Sequence, residues 1–326
     1  MALKWGVIGA GSVARRRTMP AINQVEGMEI AALMVRDLKR AEALAKEYGA
    51  DRYYDRVEAL LDDEAVDAIY VATPVYLHCP LVIQAAERGK HILCEKPMAL
   101  DVAECQRMIV ACSANDVHLE ICFVMRYWPI YRRIKGLIES GGLGEIVEIK
   151  GHLVKWMSRA EGAWRTDPQR SGGGALIDVG AHYLDLFRYL IGDFDQIVYM
   201  GSRRVFGWKV EESAFVLVRF RGGIHGTLGI SFTVPRPGNL VEIYGTKGTL
   251  LLGDQLRVTT ERGTTEEKAE FPDYYSPLMA HFRRCVEEEE EPLASGLDGL
   301  KNMEAIEGAY RSAEEGKIIQ ITPSDY

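Results

Sequence analysis

Three side chains in this 326-residue sequence have the types and spacing for proton and hydride chemistry: Lys96, in the stretch HILCEKPMAL, and Asp178 with His182, in SGGGALIDVGAHYLDLF. Hydride transfer to or from a carbon bearing a hydroxyl needs one group to take or return the hydroxyl proton and a cation or donor to hold the oxygen. Lys96 suits the second task, and shares the first if burial lowers its pKa. Asp178 and His182 stand four residues apart, which on a helix puts them on one face. A carboxylate beside an imidazole holds the ring in place, raises its basicity and stabilises its charged form, as a proton-transferring histidine requires. Each feature has a plainer counterpart. A turn lysine is more often a solvated charge, a helical Asp/His pair is more often satisfied locally, and a metal pair would need a third ligand that the spacing does not supply. What separates these readings is where the elements of the chain deliver the residues.

From Leu3 to about Cys122, short β-branched runs alternate with helical patterns: KWGVIGAG, a helix, MEIAALMV, a helix over LKRAEALAKEYG, AVDAIYVAT, a helix, KHILCEKP, a helix, then VHLEICF. Strands and helices alternating at this spacing predict βαβ units and a doubly wound parallel sheet. Gly9, Gly11 and Ala14 form G-x-G-x-x-A, with Ser12 and Val13 inside it, directly after the first strand and at the start of a helix. That context predicts a dinucleotide site: Gly9 for the tight turn, Gly11 for close approach of a pyrophosphate, and Ala14 for close helix packing.

The second strand ends at Val35-Arg36-Asp37. An acid at the strand end would bind the 2′-hydroxyl of NAD, and an arginine suits the 2′-phosphate of NADP. Val35 stands where the acid would be, and Asp37 reads as the N-cap of the helix beginning at Leu38. Arg36 therefore favours NADP, with NAD as the alternative. Ligands of doubly wound sheets bind outside the carboxyl ends of the strands. The glycine turn, Arg36, Thr73-Pro74 and Glu95-Lys96-Pro97 all fall at such ends, so Lys96 is delivered to the crevice where a nicotinamide would lie.

The second half has a different texture. After a helix starting near Pro129, EIVEIKGHLVKW is a long alternating strand, and an Arg/Gly-rich loop leads to a helix around Ala175 to Tyr189. AFVLVRF and IHGTLGISF flank Arg221-Gly222-Gly223, while NLVEIYG and GTLLLG flank Thr246-Lys247, and both read as hairpins. Period-2 strands of this kind predict an open, mostly antiparallel sheet with helices on one face. A closing amphipathic helix, GLKNMEAIEGAYRSAEEG, and a strand KIIQI follow. The loops between Lys155 and Arg170 and around Phe232 to Gly238 are where substrate specificity is expected to lie. The division expected is residues 1–123 for dinucleotide binding and 124–326 for substrate binding and oligomerisation.

A formal net charge of -8 argues against a nucleic-acid surface or an anionic membrane as the main partner and leaves a small, possibly neutral ligand. The six cysteines form no C-x-x-C pair and no Cys/His spacing for zinc, so no metal is expected, and they read as free thiols of a cytoplasmic protein. Neither a secretion signal nor a run long enough to span a bilayer is expected from the sequence.

The combination of GVIGAGSVA, VATPVYLH, ILCEKPMAL and GGGALIDVGAHYLD, in order over essentially the whole chain, resembles the Gfo/Idh/MocA family, named for glucose-fructose oxidoreductase, inositol dehydrogenase and a rhizopine catabolism protein. The resemblance implies an N-terminal Rossmann domain and a C-terminal α+β domain whose large open sheet commonly forms a dimer or tetramer interface. It makes Lys96 the lysine beside nicotinamide and substrate, Glu95 a contact of the nicotinamide ribose, Asp178 the substrate-binding acid and His182 the proton-transferring histidine. It further places Thr73, Pro74 and His78 in a turn lining the cofactor, Trp164 and Arg165 near cofactor and substrate, and Arg126 and Tyr127 in the pocket lining. The segment FVMRYWP lacks the asparagine that many members carry there. The activity implied is an NADP- or NAD-dependent oxidoreductase acting on a sugar, polyol or related hydroxy compound. The rivals are a non-catalytic dinucleotide- or sugar-sensing regulator and a trans-dihydrodiol or biliverdin type reductase on the same scaffold.

Overall fold

The computed structural model describes residues 2–157, 163–270 and 274–322. Contacts divide the chain into two units, one of Met1–Tyr127 with Asp273–Leu300 and one of Trp128–Pro272 with Lys301–Tyr326. A single cut between 123 and 124 does not describe this division, because residues 273–300 return to the first unit.

The first unit carries six strands: β1 (Leu3–Ile8), β2 (Met28–Met34), β3 (Arg52–Tyr54), β4 (Ala68–Val71), β5 (His91–Cys94) and β6 (Leu119–Ile121). They lie in the order β3-β2-β1-β4-β5-β6, and every pairing is parallel. The near-continuous apolar runs follow from this arrangement, since a parallel sheet covered on both faces buries successive side chains whichever way they point. All four residues of β4 are buried. The strand order reverses between β1 and β4, and the crevice at their carboxyl ends is where such sheets bind ligands. Strand β3, a largely exposed three-residue edge, carries no apolar run to announce it.

The helix Tyr275–Glu288 belongs to this unit. Leu278, Met279 and Phe282 enter the core that contains Trp5, with the Phe282 and Trp5 rings 4.8 Å apart. Each fully buried side chain of this size contributes about 1.5–3 kcal/mol. That gain fixes the returning segment on the sheet although it lies far away in sequence.

The second unit contains a sheet of nine strands: β7 (Ile146–Trp156), β8 (Phe194–Ser202), β9 (Ser213–Phe220), β10 (His225–Ser231), β11 (Thr233–Gly245), β12 (Gly248–Leu252), β13 (Gln255–Thr260), β14 (Gly263–Lys268) and β15 (Ile319–Gln320). Their order is β14-β13-β12-β11-β7-β10-β9-β8-β15. Strands β7 and β10 pair in parallel and the other pairs are antiparallel, including both expected hairpins. One face is covered by the helix Ala181–Leu190. Gly151 of β7 makes room for it, since a Cβ there would stand 2.8 Å from the Tyr183 ring and 3.0 Å from Phe187. On the other face, Met200, Phe215 and Leu217 are 73%, 65% and 47% exposed. No described helix is long and apolar enough to cross a membrane.

Candidate active site

In the first unit, the carboxyl ends of β1, β2, β4 and β5 bring the expected cofactor residues to one edge. Gly9 has a φ of +86°, which a side chain would strain, and its N–H donates to the Met34 carbonyl at 3.0 Å. A Cβ on Gly9 would lie 2.8 Å from the Ala72 carbonyl oxygen, whereas one on Gly11 would meet nothing nearer than that oxygen at 4.0 Å. One glycine is thus needed for close packing of β1 against β4, and the other leaves open backbone that a pyrophosphate can approach. Ser12 and Val13 open the helix, Ala14 is buried, and Ala14–Thr18 form a π-helical turn running into Met19–Gln24.

Arg36 is exposed after β2. Asp37 caps the helix Leu38–Tyr48 by accepting the Arg40 N–H at 3.0 Å, so its carboxylate is occupied as the capping pattern predicts. Arg40, a second guanidinium that the reading of the sequence passed over, donates through Nη2 to the Ala10 carbonyl at 3.0 Å, beside the glycine turn.

His78 is buried rather than open to a ligand. Its Nδ1 lies 3.0 Å from the Pro97 carbonyl and its Nε2 3.0 Å from the Thr73 carbonyl. Only the imidazolium donates to both at once; burial, joined by the charge of Lys96, lowers its pKa and favours the neutral ring, which donates to one. The histidine therefore sets the spacing between the Thr73-Pro74 turn and the Lys96-Pro97 turn.

Glu95 and Lys96 are half-buried where β5 ends. Glu95 Oε1 accepts the Tyr70 hydroxyl at 2.6 Å and Oε2 accepts the Lys96 N–H at 3.3 Å. Burial pushes the carboxyl up, against the Tyr70 hydrogen bond and the Lys96 charge.

In the second unit, the helix bearing the acid and the imidazole begins on glycines. Glu211 accepts the N–H groups of Gly174 and Leu176 at 3.0 Å each and the Tyr310 hydroxyl at 2.9 Å. Asp178 lies in a π-helical turn, Leu176–Gly180, that precedes the α-helix carrying His182, so the expected pair spans a change of helical period rather than one regular helix. Such π-turns inside helices occur frequently at functional sites. Asp178 Oδ2 lies 3.9 Å from Arg165 Nε, and the Arg165 guanidinium sits 4.5 Å from the centre of the Trp164 ring. Trp164, Arg165 and Asp178 are thus together, with His182 one turn further on. Residues 158–162 of the expected specificity loop lie outside the described residues.

Arg126 and Tyr127 are both buried, with internal partners in the first unit. Arg126 is 5% exposed, and its guanidinium donates to the Leu293 carbonyl at 2.6 Å and to Asp298 at 2.9 Å. Tyr127 is buried and donates to Glu120. Arg126 thereby holds the returning segment 273–300, and Tyr127 meets it through the His281 ring, 5.7 Å away, a partnership invisible in a local stretch of sequence. Nearby, the ligating atoms of Glu120, His281 and Cys285 lie within 4.8 Å of one another. The Nε2 lone pair of His281 already accepts the Leu293 N–H at 2.9 Å and Glu120 Oε1 accepts from Tyr127, while Glu120 Oε2 is buried without a hydrogen-bond partner. The residues missed from sequence, Tyr70, Arg40 and Glu211, share one faint signal: a polar group inside or beside a buried apolar element, whose partner the sequence does not specify.

A profile described as "Oxidoreductase family, NAD-binding Rossmann fold" matches residues 3–123, and one described as "GFO/IDH/MocA C-terminal domain" matches residues 131–251. The chain is 27% identical to the 1,5-anhydro-D-fructose reductase of Ensifer adhaerens, over 98% of each chain. It is 30% identical to the uncharacterized oxidoreductase ORF334 of Rhizobium meliloti, over 96% of this chain and 98% of that one. Among solved structures it is similar to the aldose-aldose oxidoreductase of Caulobacter crescentus complexed with glycerol, at a TM-score of 0.91 and 29% identity, over 98% of this chain and 100% of that one.

Proposed function

The chain belongs to the Gfo/Idh/MocA family of NAD(P)-dependent oxidoreductases, and we propose that it transfers a hydride between a nicotinamide and a CH–OH or carbonyl carbon of a sugar or polyol, with Lys96, His182 and Asp178 acting on the substrate. The observation that carries this reading is the placement of Lys96 directly after β5, on the same edge as the glycine turn, in a chain that also keeps the Asp178/His182 helix. The residues fit a dinucleotide: Gly9 is crowded where close packing is required, Gly11 is open, and helix N–H groups follow at once. When bound, the nicotinamide accepts or donates the hydride. The Lys96 ammonium holds the reacting oxygen and stabilises charge that develops there. His182 takes the hydroxyl proton on a ring nitrogen in the oxidative direction and returns it in the other. Asp178 orients His182 or a substrate hydroxyl, with Arg165 holding its outer oxygen.

NADP is favoured over NAD. Arg36 is exposed beyond β2, Val35 is apolar where an acid would bind the 2′-hydroxyl, and the Asp37 carboxylate is taken by its helix. The sheet face bearing Met200, Phe215 and Leu217 supports a homodimer or homotetramer. Six buried free cysteines suit a cytoplasmic location. The test is reduced-nicotinamide absorbance with NADP+ and then NAD+ over a panel of sugars and polyols, run beside Lys96→Ala and His182→Ala. Turnover lost in both variants supports the reading; cofactor binding without turnover on any compound overturns catalysis in favour of a sensing role.

A further inference from the structure

We propose that Tyr70 is a positioning residue for the cofactor, which with Thr18 behind it aims the Glu95 carboxylate at the nicotinamide ribose. This rests on the dinucleotide reading given above.

Thr18 ends the π-helical turn that follows the glycine motif, and its Oγ1 donates to the Tyr70 hydroxyl at 2.9 Å. Tyr70, fully buried in β4, donates in turn to Glu95 Oε1 at 2.6 Å. The direction of this chain is fixed by chemistry. An ionised carboxylate only accepts, so the phenol must give it the proton, and the phenol's lone pair is then free to take the Thr18 hydroxyl. A single line of hydrogen bonds therefore joins the helix that follows the phosphate turn to the turn that bears Lys96. Its acceptor is charged and its middle member is fully buried, which makes each bond stronger and its loss more costly than at a surface.

The groups facing Glu95 come from several elements. Lys96 and Cys94 belong to its own strand end, Tyr70 to β4, Cys122 follows β6, and Tyr275 opens the helix Tyr275–Glu288. Burial raises the pKa values of both thiols and both phenols, so these four stay neutral, and the ammonium of Lys96 is the one cation among them. Tyr70, Lys96 and the Cys122 thiol all favour the ionised carboxylate against the cost of burial. Tyr70, the Lys96 N–H and the Cys122 thiol take up lone pairs of Glu95 internally, and those that remain serve the ribose hydroxyls only while the group is ionised.

The experiment is fluorescence titration of the full-length protein with NADPH and NADH from about pH 5 to about pH 9, for the parent, Tyr70→Phe and Thr18→Val. Tyr70→Phe keeps the ring that packs in the core and deletes only the hydroxyl. It should weaken binding about tenfold near neutrality and move the acidic limb of the binding curve to higher pH, because Glu95 loses a donor to its charged form. Thr18→Val should move the limb the same way by less. Parent-like affinity and an unmoved limb in Tyr70→Phe would overturn the inference, as would a loss equal at every pH. A parent that binds neither nucleotide would overturn the dinucleotide reading itself, and this inference with it.

Discussion

The Glu211 carboxylate accepts the N–H of Gly174 at 3.0 Å, while the Glu211 carbonyl oxygen fills the space that a Cβ on Gly174 would need. The glycine at 174 is thereby explained: the backbone just before the π-helical turn presses directly on the backbone of Glu211, and only hydrogen fits. The same carboxylate takes a second N–H from Leu176, so orphan donors at the helix start are satisfied by one buried acid. Burial raises its pKa, while these donors and the Tyr310 hydroxyl lower it.

Gly174→Ala should therefore cost several kcal/mol of stability, since backbone atoms cannot step aside as a side-chain tip would. Glu211→Ala, which leaves two N–H groups and the Tyr310 hydroxyl without their acceptor, should cost about 2–4 kcal/mol. Urea midpoints measured for both variants check this; midpoints equal to the parent's would show that the helix start does not depend on the contact.

Lys96→Ala and His182→Ala should each lower kcat roughly a hundred- to ten-thousandfold, with the dissociation constant for the reduced nucleotide nearly unchanged for His182→Ala. Asp178→Asn, which keeps the shape and removes the charge, should fall between these variants and the parent. Steady-state rates beside nucleotide titrations separate loss of chemistry from loss of binding.

Arg36→Ala should raise KM for NADP+ about tenfold or more and leave KM for NAD+ within about twofold, because a guanidinium gains a charge-assisted bond only from the 2′-phosphate. Equal effects on both nucleotides would assign the residue to the exposed surface instead, and would turn attention to Arg40.

The Glu120 carboxyl is pushed up to about 8 by burial, against the Tyr127 hydrogen bond and the Arg126 charge. An unfolded glutamate titrates near ~4.3. Between these values the folded chain keeps a proton that the unfolded chain releases. The contribution of Glu120 is therefore fully present below about pH 4 and is lost as the pH rises through about 8. Glu120→Gln retains an acceptor for Tyr127 and has nothing to titrate. The drop in urea midpoint from about pH 5 to about pH 8 should be smaller in that variant than in the parent.

Phe215→Glu and Met200→Glu place charges on an exposed sheet face whose neighbouring side chains already meet solvent. They should leave the melting of the single chain nearly unchanged and shift the mass in light scattering towards the monomer. An unchanged mass would move the contact to another face.

Much of the fold could be read without coordinates because its signals are local. Strand runs and helical patterns at a fixed spacing, the glycine turn at the end of β1, the Asp37 cap and the two hairpins each depend on residues within a few positions of one another. Backbone sterics and side-chain period act at that range. The polar turns at the ends of β1, β2, β4 and β5 followed from the same logic, since parallel connection alone puts every carboxyl end on one edge.

Partners far apart in sequence were a different matter. Nothing in FVMRYWP tells that Arg126 reaches Leu293 and Asp298, or that the Tyr127 ring meets His281. His78 sits in the expected turn, yet its ring faces two carbonyl oxygens, that of Thr73 in the same turn and that of Pro97 in the turn after β5. The return of the helix Tyr275–Glu288 to the first sheet depends on Phe282 meeting Trp5, a contact that apolar periodicity permits but does not choose. The sequence thus determined which residues can do chemistry and which strand ends present them. Tertiary structure decided which polar groups are already committed to internal partners, because a hydrogen bond is satisfied in space, by whichever buried donor and acceptor the packing of the core brings within 3 Å or so.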